Sequence, residues 1–155
     1  MAVMTEAGDH HKLDLAADVL RAGGSIRLQA LGSSMLPSIW PGDVLRIERK
    51  PAEEVVAGDI VLVARAGRFF VHRLIEKRES GWVTRGDSLS QNDETVAEAQ
   101  VLGKVSHIHR KSGVLVPSSR GSRLSRTLAW MFRRSDRLRN IALRIRLLFD
   151  RRVYQ

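Results

Sequence analysis

Apolar residues recur along the chain first at helical and then at strand spacing. Leu13, Ala16, Ala17 and Leu20 share one helical face and Gly23-Gly24 ends the pattern, which predicts a short amphipathic helix over residues 13–21. From Ser25 the period shortens to two. Ile26, Leu28 and Ala30 alternate with Arg27 and Gln29. Residues 44–47 follow the turn Pro41-Gly42-Asp43, and residues 60–63 follow the similar turn Ala57-Gly58-Asp59. Stretches at 69–75, 82–84 and 101–109 complete six short strands, the texture of a compact, mainly β domain over residues 13–112.

The flanks read differently. Residues 1–12 are mostly polar and are expected to be disordered. The Ser, Gly and Pro residues of 112–122 predict a linker. Beyond it Leu124, Leu128, Met131, Phe132, Leu138, Ala142, Ile145 and Phe149 fall mostly on one helical face. Arg126, Arg133, Arg137, Arg144 and Arg151 gather on the other. Arg139 and Arg146 intrude on the apolar stripe, so residues 113–155 read as a linker and a basic amphipathic helical tail of middling quality.

Charge sharpens this division. The net +9 belongs entirely to residues 118–155, which hold eleven Arg against Asp136 and Asp150; the rest balances fifteen bases with fifteen acids. The chain has no cysteine, which excludes a disulfide framework, a thiolate zinc site and a cysteine nucleophile. It has neither an apolar run long enough to cross a bilayer nor the apolar stretch of a signal peptide, so a cytoplasmic protein is expected.

Candidate chemistry begins at Gly32-Ser33-Ser34-Met35-Leu36-Pro37. A serine hydroxyl needs a base to take its proton before it is a useful nucleophile. Of five histidines, His10 and His11 lie in the polar N-terminus, and His107 and His109 lie beside Arg110 and Lys111 late in the β region. His72 sits within the apolar run Phe69-Phe70-Val71-His72-Arg73-Leu74-Ile75, where an imidazole can be held in one orientation. A third group should fix its tautomer, and Asp87 and Asp93, in Gly86-Asp87-Ser88-Leu89-Ser90-Gln91-Asn92-Asp93, are the candidates.

Together these boxes resemble the signal peptidase I/LexA clan of serine peptidases: Gly-x-Ser-Met-x-Pro, a Gly-Asp, a strand carrying the base, then Gly-Asp and a further Asp. Most bacterial members pair Ser with Lys. Val71-His72-Arg73 is instead similar to the endoplasmic-reticulum and archaeal signal peptidases, where His replaces Lys. There the triad Asp follows the Gly-Asp motif by about six residues, a position that falls on Asp93 here. The resemblance covers roughly residues 25–106 and implies a signal peptidase/LexA-like β domain. It implies Ser34 as nucleophile, His72 as general base, and Asp93, with Asp87 as the second choice, as the orienting acid.

The chain departs from that pattern in three places. It lacks the N-terminal membrane helix. Gly32 stands where many relatives have an oxyanion-assisting serine, leaving the Ser34 backbone N–H and Ser33 for that role. Ser88-Leu89-Ser90 replaces the asparagines of the endoplasmic-reticulum type.

Other readings compete. Ser34 and His72 taken alone are ordinary turn and strand residues, and Met35 serves equally as substrate-binding surface or packing. Two imidazoles without a nearby carboxylate fall short of a metal site, and no metal or cofactor is expected. Ala22-Gly23 resembles the bond that LexA-type proteins cut in themselves, but it lies too few residues before Ser34 for self-cleavage to be expected.

The expected activity is endopeptidase cleavage of a peptide or precursor-protein substrate, either generally or as a dedicated processing enzyme for one peptide. A Ser/His centre should lose activity below about pH 6, where a histidine ordinarily titrates. The rival is a non-catalytic binding or scaffolding protein that docks through its tail. Residues 124–155 are expected to lie on an anionic membrane surface, in preference to nucleic acid or to packing on the body.

Overall fold

The computed structural model describes residues 7–119; the expected basic tail beyond them, and residues 1–6, lie outside the described residues. Helix α1 spans Ala7–Arg21, starting six residues before the apolar repeat begins and so taking in half of the stretch expected to be disordered. A helix once nucleated is extended by one hydrogen bond per residue and needs no apolar periodicity to do so. Its C-terminus closes as a Schellman motif. Gly23 N–H donates to Leu20 O and Gly24 N–H to Val19 O, both at 2.9 Å, with Gly23 at φ +83°. The Ala22-Gly23 bond is held in that turn. Ala17 and Leu20 enter the core, while Leu15 stays exposed.

Seven antiparallel strands form one sheet: β1 (Ser25–Gln29), β2 (Val44–Glu48), β3 (Ile60–Arg65), β4 (Arg68–Arg78), β5 (Gly81–Arg85), β6 (Val101–Arg110) and β7 (Gly113–Leu115). The order is β1-β2-β6-β3-β4-β5. Six were expected. The seventh uses the start of the expected linker: Leu115 pairs with Ile108 and Gly113 with Arg110. All three β7 residues are exposed, so no burial pattern marked them.

β3 explains the layering. Its continuous run Ile60-Val61-Leu62-Val63 is buried on both faces. Ile60 and Leu62 join Met35, Ile39, Leu45 and Leu102 in one cluster beneath α1. Val61 and Val63 join Leu74, Trp82, Val96 and Val101 in a second. Truncating Leu62, which is fully buried, to Ala should cost about 2–5 kcal/mol.

Two of the unpaired backbone edges among the described residues belong to β1 and β4. β1 pairs only with β2. β4 pairs with β3 from Arg68 to Arg73, but with β5 only from Arg73 onward, so residues 68–72 present a bare edge. Among the described residues, no helix is long and apolar enough to cross a membrane.

Candidate active site

The loop after β1 carries Ser34. Met35, Leu36 and Ile39 are buried, and Ile39 N–H donates to Met35 O at 3.0 Å. These apolar anchors tie the turn to the core and leave the serine just before them half-buried. Met35 packs in the core and also lines the cleft described below.

A second loop, after β5, braces the first. Ser88 N–H donates to Ser34 O at 2.9 Å, and Ser88 Oγ donates to the carbonyls of Ser33 and Ser34, each at 3.0 Å. Gly86 makes this approach feasible: a Cβ there would lie 2.7 Å from Ser34 O and 2.9 Å from Leu89 Cδ1. The Ser34 N–H itself donates to no acceptor among the described residues.

His72 projects from the bare half of β4. Its Nε2 lies 3.2 Å from Ser34 Oγ and its Nδ1 2.6 Å from Asp93 Oδ2. An ionised carboxylate can only accept, so Nδ1 carries the proton and the Nε2 lone pair faces the serine. Asp93 is fixed in turn by Thr84, whose hydroxyl donates to Oδ2 at 2.7 Å, while Asp93 N–H donates to Thr84 O at 2.8 Å. Burial works to raise the Asp93 pKa. The hydrogen bonds from His72 and Thr84, with the charges of His72 and Arg65, outweigh it and hold the carboxyl below its ordinary value.

Asp87, the other candidate acid, goes elsewhere. Arg73 grips it in a two-pronged ion pair, Nε to Oδ1 and Nη2 to Oδ2, both at 2.7 Å, and Ser38 Oγ donates to it as well. The same guanidinium donates to Gly58 O at 2.6 Å. Adjacent residues on β4 therefore face opposite sides, His72 toward Asp93 and Arg73 toward Asp87.

No lysine takes the place of the base among the described residues. Lys104 pairs with Asp59 at 2.8 Å, and the Lys77 ammonium sits 4.2 Å from the Trp82 ring centroid. His107 and His109 stand 6.4 Å apart on β6, where His107 faces Arg46 of β2.

A cleft of about 590 Å³ runs past the Ser34–His72 pair. Leu28, Leu31, Met35, Phe69 and Val71 give it an apolar floor, and the bare edges of β1 and β4 flank it. The sequence reading missed Thr84, Ser88 and Arg73. Arg73 and Ser88 lie within the boxes compared above without being given a role, and Thr84 is marked only as a polar residue closing the apolar run Trp82-Val83. The site as arranged can remove a proton from Ser34, hold the resulting imidazolium against a carboxylate, and seat an extended apolar chain beside both.

A comparison with curated proteins found no match. The sequence pattern of the Peptidase S24-like family matches residues 2–106, which takes in α1, the cleft and the Ser34, His72 and Asp93 positions. The chain therefore belongs to the Peptidase S24-like family, within the LexA/signal peptidase clan, on whose serine-peptidase-type β fold it is built.

Proposed function

We propose that this protein is a serine endopeptidase of the Ser/His/Asp kind, closest in chemistry to the endoplasmic-reticulum and archaeal signal peptidases. The observation that carries the reading is the unbroken line Asp93 Oδ2–His72 Nδ1, 2.6 Å, and His72 Nε2–Ser34 Oγ, 3.2 Å. His72 takes the Ser34 proton as Oγ attacks a peptide carbonyl. The oxyanion accepts from the Ser34 N–H. Asp93, its pKa held low, stays ionised and stabilises the imidazolium without taking its proton. The imidazolium then protonates the leaving amine, and water attacks the ester with the same base.

The substrate is an extended segment of a peptide or precursor protein. Unpaired strand edges on both sides of an apolar groove favour a chain that adds backbone hydrogen bonds as it binds. The test is acylation of the purified protein by a penem-type or lipopeptide probe. Ser34→Ala and His72→Ala should both abolish labelling. Absence of labelling in folded wild type would favour the binding-protein alternative, and labelling that survives in Ser34→Ala would name another nucleophile.

The reading extends to location. A cytoplasmic enzyme would reach an anionic membrane through the arginine-rich face of residues 124–155, with Leu124, Leu128, Phe132 and Phe149 turned inward. Deleting these residues should abolish pelleting with anionic liposomes; unchanged pelleting sinks that part of the proposal.

A further inference from the structure

The cleft is lined by arginines as well as by apolar side chains. β4 pairs with β3 in unbroken register from Arg68 to Arg73, so Arg68, Phe70 and His72 share one face. The Phe70 and His72 rings lie 6.3 Å apart, as that alternation requires. Arg68 stands four residues before His72, about 13 Å along an extended strand. Arg27 belongs to β1, the strand that leads into Ser34, and lines the same cleft. Arg65, opposite Arg68 across the β3–β4 hairpin, is neutralised by Glu94 at 3.2 Å. Neither Arg27 nor Arg68 has a carboxylate within ion-pairing distance among the described residues.

We propose that Arg27 and Arg68 select substrates bearing an aspartate or glutamate three to five residues from the bond that is cut. This deepens the peptidase reading above and rests on it. The spacing follows from the strands: an extended substrate covers about 13 Å in four residues, the span from His72 to Arg68. The chemistry follows from charge. Two guanidinium groups beside an apolar groove offer charge-assisted hydrogen bonds to a carboxylate and repel a lysine or arginine at the same position. Apolar side chains of the substrate supply contact along the floor, and the acidic one fixes how far along the cleft the chain slides, hence which bond meets Ser34.

The experiment uses the full chain and a mixture of decapeptides with randomised positions, the cut sites being read by mass spectrometry. Wild type should cut peptides enriched roughly tenfold in Asp or Glu three to five residues from the cleaved bond, the discrimination expected of one charge-assisted contact. Arg27→Glu/Arg68→Glu should turn that preference toward Lys and Arg. Arg68→Gln, a milder change that tests against misfolding, should flatten it. No acidic enrichment in wild type, or the same enrichment in the charge-reversed protein, overturns the proposal. So does an unchanged cleavage profile when the reversed protein loses binding to phosphatidylglycerol vesicles, since the arginines would then serve a membrane surface.

Should no peptide be cut, the peptidase reading itself fails, and capture of the same mixture on Ser34→Ala protein decides the selectivity alone. Acid-enriched capture that Arg27→Glu/Arg68→Glu removes would support it. Capture without that enrichment, or no capture, would overturn it.

Discussion

Asp87 and Asp93 stand six residues apart in one loop, yet their surroundings differ in kind. Asp87 has a side chain 8% exposed and faces a guanidinium that stays charged at any pH the protein meets. Asp93 is 24% exposed and faces an imidazole, a ring that can take up and release a proton. A carboxylate locked to a permanent cation has a fixed role, here holding β4 to the loops that carry Ser38 and Asp87. A carboxylate against a titratable ring, with water close by, can stabilise a charge that appears and disappears during a reaction. A buried carboxylate is therefore assigned by its partner rather than by its depth.

The largest effect should separate the two by activity. Asp93→Asn leaves the volume unchanged but presents an amide that can turn its N–H toward Nδ1, favouring the wrong tautomer; acylation should fall by up to about 10⁴-fold. The fall for Ser34→Ala or His72→Ala should be at least as large, because the three act as one unit. Asp87→Asn should retain far more activity than Asp93→Asn in the folded protein. Rates of probe acylation for the four variants check this ranking, and equal losses in the two Asp variants would erase the distinction.

Stability should rank them the other way. Asp87→Asn leaves Arg73, 18% exposed, without its charge partner, a change that costs about 3–5 kcal/mol in buried pairs. Urea denaturation at neutral pH measures it. Asp93 contributes through pH instead. Its folded pKa is lowered, so the unfolded chain binds more protons through the carboxylate range. Its contribution is complete above the unfolded pKa and is lost as pH falls through the folded one. Stability of wild type should drop from about pH 5 downward, and Asp93→Asn should drop less steeply over that range. A parallel pair of curves would remove the carboxylate from the acid limb.

This contrast also shows what could be read from the chain. Ser34 and His72 stand out in the sequence as candidates because each sits in a local pattern, a Met-x-Pro turn and an apolar run broken by one imidazole. The mainly β fold was legible from short apolar runs between turns, with alternation that matches burial in β2, where Leu45 and Ile47 are buried. The choice between the two aspartates was open from the residues themselves, since it depends on which side of β4 each one meets, and that is set by pairing with β3 and β5. β7 escaped because three exposed residues carry no pattern, and residues 7–12 because a helix extends through polar sequence. The partners Arg73–Asp87 and Thr84–Asp93 are separated by 14 and 9 residues and meet only after the strands pair.

The smallest effect tests whether the two carboxylates are independent. Ser88 follows Asp87 directly, and its N–H and hydroxyl both hold the Ser34 carbonyl. On the proposed reading the Arg73–Asp87 pair anchors the loop that aims Ser34, so Asp87 would be a positioning residue while Asp93 would act on the His72 base. Ser88→Ala removes the hydroxyl but keeps the backbone donor, so it should cost about 1 kcal/mol and slow acylation only three- to tenfold. If Asp87 positions Ser34 through Ser88, the rate losses of Ser88→Ala and Asp87→Asn should overlap in the double variant, whereas Ser88→Ala and Thr84→Val, on the other carboxylate, should multiply. Multiplication in the first pair would mean that Asp87 steadies the fold without steering the serine, and the two aspartates would be separate in rate as well as in stability.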